Sequence, residues 1–472
     1  MQLHIANNEA DVFRVATRNA FIAGKEIAPI FSITRKSERT MRKNAVRDFL
    51  KTLLKPAIGK FFKLLLPFYQ IRNQVRCKKP WVIVLGSRFY TRELVEQLAI
   101  HGYRVFLFDS SPEQSNWRFA CRTEFVDVYD KTNIPTIIQA ARRFDCRSVL
   151  MPQDDNLIPV YAEVNRQLKN DLRFSPSAVE ASLSKTSMRR QLADAGLKTA
   201  QWKTVTDIDE LTALPFPAIV KPPMGQGSQG VRYVKNQAEA TAAVENILEA
   251  LGQDHCVVEE YLDGRQFDVE GVISNGTPVV HLITEECYTD FLPEFSRPSW
   301  YLHGLSLPTK LESEILRETK AALAACNLYS GAFHLELKFK GDQAMTIDLA
   351  NRMGADFFKY ARLVTDVPVI LEYLKTMTCA PVRMTPLSKV RKHPILRFYN
   401  YVDHPAHHDI QRLAFSMADD GDVALLLRGN QLELRGRETH LRGFLKQAYE
   451  LRNAEMTFAK DPLELVKHPT YS

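Results

Sequence analysis

Between His334 and Arg352 the chain reads HLELKFKGDQAMTIDLANR, two strand-like arms on either side of Gly341-Asp342. A Gly-Asp pair between such runs predicts a β-hairpin. The hairpin puts Glu336 in one arm and Asp348, twelve positions later, in the other, so that both acids can stand side by side on one face. Two inward-facing carboxylates repel each other unless a cation lies between them. Their hard oxygens suit a magnesium ion that bridges to nucleotide phosphates. Arg352, four residues past Asp348, adds a planar cation suited to an acyl phosphate or a transferring phosphoryl group. The plainer reading of the same residues is an exposed strand face with scattered charge.

Two segments upstream point the same way. Lys221 closes the apolar run PAIVK, and the chain continues PPMGQGSQGV, with Gly225, Gly227 and Gly230 around Ser228. Glycines at this density make a loop whose backbone N–H groups can close over phosphate oxygens while Lys221 supplies a point charge. A wide turn is the plain alternative. Further on, VVEEYLDGRQFDVEG runs an apolar strand into Glu259, Glu260, Tyr261 and Leu262. Such a strand end offers a backbone edge to the polar rim of adenine and side chains to ribose hydroxyls, although acids at a strand end are usually just solvated.

From Trp81 the texture is an α/β alternation: WVIVLGS as strand and turn, RFYTRELVEQLAIHG as a helix stopped at Gly102, YRVFLFDSS as a strand ending at Asp109. EFVDVYD, IPTIIQAARRFD and CRSVLMPQDD continue the series, which predicts a doubly wound parallel sheet. Gly86 stands alone in GSRFYT, so a dinucleotide fingerprint is missing, and Gly86 and Asp109 read as a tight turn and a strand end. SPSAVEASLSKTSMRRQLADAGL predicts a helix pair ended by Gly196, followed by a run of strands, the helix ESEILRETKAALAACNL and the hairpin. The expected fold class is α/β and α+β. A basic extension over 1–79 precedes a doubly wound α/β domain over 80–175, a nucleotide-binding and catalytic domain over 176–375, and a small C-terminal α+β subdomain over 376–472.

Length and composition set limits. The chain has 472 residues, 45% hydrophobic and 25% charged, enough for two or three domains with their own cores. Ordinary Gly and Pro contents exclude collagen and low-complexity classes. The net charge of +7 is uneven: residues 1–80 hold 17 Lys/Arg against 5 Asp/Glu, a net +12, which leaves −5 on the remainder. A basic front on a mildly acidic body argues against a nucleic-acid binder, whose excess belongs on the folded domain. Residues 41–69 carry Val46, Phe49, Leu50, Leu53, Leu54, Ile58, Phe61, Phe62 and Leu65 at helical spacing, with Arg47, Lys51, Lys55 and Lys63 largely between them. This predicts a basic amphipathic helix kinked at Pro56. Its apolar face either packs on the body, lies on an anionic membrane surface through residues 41–66, or serves targeting or a partner.

The seven cysteines, Cys77, Cys121, Cys146, Cys256, Cys287, Cys326 and Cys379, are odd in number and form no CxxC pair. They suit free thiols and argue against a disulfide framework or a structural zinc site. No apolar run is long enough to cross a membrane and the first residues lack a secretory pattern, so cytoplasmic residence is expected. His404, His407 and His408 are expected in a solvated loop rather than a metal site.

In order and spacing these segments resemble the ATP-grasp superfamily, especially the carboxylate–amine ligase branch that joins amino acids or short peptides, over roughly residues 80–400. The resemblance implies that Lys185 in SLSKTSM and Lys221 contact ATP phosphates. It implies further that Gly225 to Gly230 cover them, that Glu259 to Leu262 read adenine, that Glu336 and Asp348 bind Mg²⁺ (or Mn²⁺), and that Arg352 follows as the arginine of the motif. Three positions depart from the pattern. Asp348 replaces the usual Glu, Ala350 stands where many members have Asn, and Gln266 stands where an acid is expected to hold the ribose. The implied chemistry is amide formation through an acyl phosphate. Bicarbonate-using ATP-grasp enzymes and a non-catalytic, ATP-binding, membrane-associated scaffold are the competing readings. Substrate choice is expected to depend on TEECYTDFLPEFSRPSWYLHG, 284–304, read as a long irregular stretch in which Arg297, Trp300 and Tyr301 can hold substrate.

Overall fold

The structure, a computed structural model, describes residues 65–86, 91–110, 116–168, 175–213, 215–288, 298–304, 306–354, 357–365, 367–377, 394–399, 407–428 and 431–453. All of them fall within the unit Phe61–Ser472. The amphipathic helix expected over 41–69 lies outside the described residues as far as 64. Its continuation over 65–76 is helical.

The first sheet is parallel, in the order β3-β2-β1-β4, from β1 (Lys79–Gly86), β2 (Tyr103–Asp109), β3 (Arg122–Phe125) and β4 (Ser148–Leu150). Helices Thr91–Ile100, Ile134–Arg143 and Ile158–Gln167 connect or follow these strands. Val82 to Leu85 form an unbroken apolar run that is wholly buried, as strands covered on both faces require. Gly86 pairs with Asp109, and a β-carbon there would fall 2.8 Å from Leu107 Cδ1 and 2.9 Å from Asp109 Oδ2. The close approach of two strand ends therefore accounts for this glycine.

The helix over 65–76 docks on this domain by one face. Tyr69 meets the edge of Trp117 at 5.5 Å, and Asn73 Nδ2 donates to the carbonyls of Arg118 and Ala120 at 2.8 and 2.9 Å. Phe68, Ile71 and Val75, on the opposite face at helical spacing, are 66%, 64% and 67% exposed.

The rest of the described chain is built on two sheets. The smaller one takes the order β5-β8-β6-β7, from β5 (Trp202–Val205), β6 (Ala218–Lys221), β7 (Arg232–Val234) and β8 (Cys256–Glu260). The larger has eight strands in the order β13-β12-β9-β10-β11-β14-β16-β15. They are β9 (Gln266–Ser274), β10 (Thr277–Tyr288), β11 (Pro298–His303), β12 (Gly331–Lys340), β13 (Gln343–Ala350), β14 (Ile395–Tyr399), β15 (Val423–Arg428) and β16 (Gln431–Gly436). The predicted hairpin is β12–β13, closed between Lys340 and Gln343 with Gly341 at φ 61°. The C-terminal strands extend this same sheet while packing their own apolar layer from Leu396, Ile410, Leu432, Leu434, Leu441 and Phe444.

Two local expectations are corrected. The stretch 284–304 is not one irregular loop: its ends are β10 and β11, paired with Glu286 opposite Tyr301 and Cys287 opposite Trp300. Strand alternation turns Trp300 into the core, so it is not a substrate residue, while Tyr301 stands on the other face with Arg397 over its ring. Arg297 lies outside the described residues. His407 and His408 open the helix His407–Asp419 instead of sitting in a loop, and His404 lies outside the described residues.

Helices Phe357–Val364 and Val369–Thr376 join the large sheet to the parallel domain through one continuous apolar core. Tyr373 Oη lies 3.3 Å from Tyr161 Oη and donates to the Met151 carbonyl at 3.4 Å. That packing carries the segment after β4, including Asp155, to the end of β13.

Candidate active site

The two lysines come from different elements, Lys185 from the start of a helix and Lys221 from the end of β6. Ser184 caps the helix Lys185–Asp194 by accepting from Ser187 N at 3.2 Å, which fixes Lys185 in the first turn. From there Lys185 Nζ reaches Asp348 Oδ2 at 3.2 Å and donates to the Gly225 carbonyl at 3.3 Å. Burial would lower the pKa of Lys185, and the carboxylates of Asp348 and Asp155 more than reverse it. Lys221, the last residue of β6, lies 2.5 Å from Glu259 Oε1 and donates to the Ile347 carbonyl at 3.3 Å. Its pKa is lowered by burial despite Glu259.

The loop after Lys221 turns through the left-handed region at Gly225, Gly227, Ser228 and Gly230, with φ of 139°, 65°, 58° and 77°. Gly230 is also crowded, since a β-carbon would fall 2.9 Å from Leu251 Cδ1 and 3.1 Å from Pro222 Cγ. The backbone of this loop lies beside Lys185, whose N–H donates to the Pro223 carbonyl at 2.8 Å.

Glu336 and Asp348 are direct register partners on β12 and β13. Next to them the register skips Ile347, a β-bulge that leaves its carbonyl outside the ladder. Lys221 and Arg189 Nη2 use that carbonyl, at 3.3 and 3.4 Å. Burial would raise the pKa of Asp348, but Lys185, Lys221 and Arg352 outweigh it and hold the carboxyl below its usual range. Arg352 pairs through Nε and Nη2 with the two oxygens of Asp155. That partner offsets burial and raises the guanidinium further.

In the expected adenine segment the side chains have other partners. Glu259 is buried between Lys221 and Arg189, whose Nε and Nη2 donate to its Oε2 at 2.9 and 2.6 Å. Burial would raise its pKa, and the two cations bring it down. Glu260 pairs with Lys340 at 2.8 Å, and Tyr261 lies against Tyr233 with Lys338 Nζ 4.3 Å above its ring. Leu262 joins Ala200, Met345 and Ile347 in a small apolar cluster of its own. Gln266 donates to Glu286 Oε2 at 2.6 Å.

Several charged residues of this region are absent from the sequence reading: Asp155, Arg189, Asp268, Glu270, His334 and Lys338. Asp268 and Glu270 pair with Glu336 and His334 in the β9–β12 register, so three acids, Asp268, Glu336 and Asp348, form one row across β9, β12 and β13. Burial, then Glu286, holds the Asp268 carboxyl well above its usual range. Burial would lower His334, and Glu270 and Glu336 more than reverse it. Lys338, opposite Gln266, is brought down to about 8 by burial. The alternation FDVE and HLELK carried the signal, since period two puts these residues on the face of Glu336. Arg189 carried none, because an arginine inside a helix reads as solvated.

The donor set fits Mg²⁺ with a nucleotide: two adjacent carboxylates from paired strands and two lysines, with Lys185 already paired to Asp348. The sequence profile of the ATP-grasp domain matches residues 214–359. Among curated proteins, an uncharacterized protein of Sinorhizobium fredii is 22% identical over 326 residues, 64% of this chain and 64% of its own length. D-alanine–D-alanine ligase A of Bacillus cereus is 24% identical over 168 residues, 34% of this chain and 54% of the ligase. The matches thus span less than two thirds of the length of these relatives. Among solved structures, an L-amino acid ligase from Bacillus licheniformis has the same fold, with a TM-score of 0.60 at 16% identity over 80% of this chain and 98% of that one. Residues 214–359 thus match the ATP-grasp domain, set in a chain that shares the fold of the L-amino acid ligase.

Proposed function

We propose that this protein is an ADP-forming carboxylate–amine ligase, acting on an amino acid or small peptide. The observation that supports this most is the meeting of Lys185, Lys221, Asp348 and Arg352 around one acid pair. Lys185 and Lys221 bind phosphate oxygens, and the apolar cluster of Ala200, Leu262, Met345 and Ile347 forms a wall for the base. Glu336 and Asp348 would hold Mg²⁺, which would neutralise phosphate charge. The carboxylate oxygen of the first substrate attacks the γ-phosphorus and ADP leaves, giving an acyl phosphate. Arg352, held by Asp155, stabilises its charge. The amine nitrogen then attacks the carbonyl carbon, phosphate leaves, and the nitrogen gives up its proton. The Gly225–Gly230 loop keeps water from the acyl phosphate.

ADP release from ATP, measured with the purified chain against a panel of amino acids and dipeptides, tests this reading. Release that needs both a carboxylate and an amine supports it. Release that needs bicarbonate instead moves the chain to the carboxylating class, and nucleotide binding without any turnover leaves a scaffold.

A second, separate role concerns the front of the chain. The exposed stripe of Phe68, Ile71 and Val75, next to Arg72, Arg76, Lys78 and Lys79, supports peripheral contact with an anionic lipid surface. Among the described residues no helix is long and apolar enough to cross a membrane.

A further inference from the structure

On the side of Glu336 away from Asp348, three donors of mixed chemistry converge. Asp268 is the register partner of Glu336 on β9, and His334 precedes Glu336 by two residues, on the same face of β12. One ligand atom from each of Asp268, His334 and Glu336 lies within 4.8 Å of the others.

The imidazole is oriented from behind. His334 Nδ1 lies 3.2 Å from Glu270 Oε1, and Nε2 lies 3.5 Å from Glu336 Oε1. A carboxylate at Nδ1 orients the ring so that Nε2 faces Glu336, where a bound cation takes the place of the Nε2 proton. Gly354 backs this pair so closely that a β-carbon would fall 1.8 Å from Glu270 Oε1 and 2.6 Å from His334 Nδ1. Asp268 Oδ1, for its part, is buried with no hydrogen-bond partner among the described residues. A buried carboxylate oxygen without a donor is costly unless a proton or a cation meets it.

We propose that Asp268, His334 and Glu336 form a divalent-cation site of their own, filled without nucleotide, with Glu336 shared between it and the Glu336–Asp348 pair. Two carboxylates and one imidazole make a mixed oxygen and nitrogen set, which suits Mn²⁺ or another first-row transition ion better than Mg²⁺. The row continues from Asp268 through Thr284 to His303, so the ion lies on the side of Glu336 away from Asp348. The inference rests on the ligase reading only in its use of Glu336 as a shared ligand.

The test is Mn²⁺ titration of the full chain by electron paramagnetic resonance, with and without ATP, with electron spin-echo modulation to detect a coordinated nitrogen. The expected result is Mn²⁺ bound without nucleotide and carrying an imidazole nitrogen coupling. His334→Gln should remove the coupling, and Asp268→Asn should weaken nucleotide-free binding about tenfold or more. Glu270→Gln, which only orients the imidazole, should weaken it about 10- to 100-fold. Asp348→Asn should keep the nucleotide-free signal and lose the ATP-dependent one. The proposal is overturned if no Mn²⁺ binds without nucleotide, or if the bound ion gives the same spectrum in His334→Gln. Loss of ATP-dependent binding alone would instead count against the ligase reading. Circular dichroism confirms that each variant folds, and the near-isosteric Asp268→Asn decides the matter should His334→Gln fail to fold.

Discussion

Lys221, at the end of β6, donates to the carbonyl of Ile347 at 3.3 Å, and so ties the small sheet to the large one at the bulge beside Asp348. The phosphate-binding lysine of the proposed mechanism is therefore part of the joint between the sheets. Function and stability overlap at this position, and variants there must be read by both measures.

Lys221→Met is expected to lower ADP release by about 100-fold or more, as removal of a charge aimed at the reacting phosphate does. Glu259 keeps Arg189, so the fold should survive. Arg189→Met should cost more stability than Lys221→Met, because Arg189 holds Glu259 and the Thr346 carbonyl from a fully buried position. Thermal melts beside ADP-release assays check both. Glu336→Gln is expected to abolish turnover with little change in melting temperature, and wild-type turnover in both Lys221→Met and Glu336→Gln would refute the phosphate and metal assignments.

Asp348→Glu lengthens the acid that pairs with Lys185 at 3.2 Å. The magnesium concentration at half-maximal activity should shift, since both the chelate arm and its lysine partner must adjust. An unchanged magnesium curve would remove Asp348 from the metal site.

Asp155→Ala should reduce kcat more than ATP affinity, because Asp155 hydrogen-bonds Arg352 and acts on Lys185 through its charge alone. Asp155→Glu should recover part of the loss. Equal loss of nucleotide affinity would show that Asp155 acts on the fold and not through Arg352.

His281 occupies the register shift of β10 opposite β9, and its burial brings its pKa from 6.5 to about 4. The unfolded chain thus binds a proton near pH 6.5 that the folded one refuses until about pH 4. Stability from this group is complete above pH 6.5 and falls as pH drops toward 4, by about 3 kcal/mol at most. His281→Phe should flatten the dependence of unfolding free energy on pH across this window, as followed by urea titration. An unaltered slope would mean that His281 is charged or solvated in the folded protein.

Two deletions separate the roles of the N-terminal segment. Removing residues 1–78 should lower the melting temperature more than removing 1–64 does, since Tyr69, Asn73 and Cys77 pack on the parallel domain. Burial of one large apolar side chain is worth about 1.5–3 kcal/mol, so the longer deletion is not neutral. Co-sedimentation of the full chain with anionic vesicles at low and high salt addresses the exposed face. Binding that survives Phe68→Ser, Ile71→Ser and Val75→Ser together would exclude the lipid-contact proposal for this stripe.

The parallel sheet from Trp81, the helix pair around Ser184, the β12–β13 hairpin and the side-by-side position of Glu336 and Asp348 were legible from residue order alone. Each follows from local rules: apolar runs, capping residues, a turn pair and the period of two along a strand. The partners brought from far along the chain were not legible there, because folding sets them. Asp155 meets Arg352 across 197 positions, Arg189 meets Glu259 across 70, and Asp268 lines up with Glu336 through pairing of strands that are not neighbours in sequence. The bulge at Ile347 belongs here too, since a skipped residue in a ladder leaves no mark in composition. The burial of Trp300 and the commitment of Glu259 to two cations had the same origin. Local sequence sets which way a side chain points from its own strand, while the choice of which distant charge it meets depends on sheet order and on desolvation by packed neighbours.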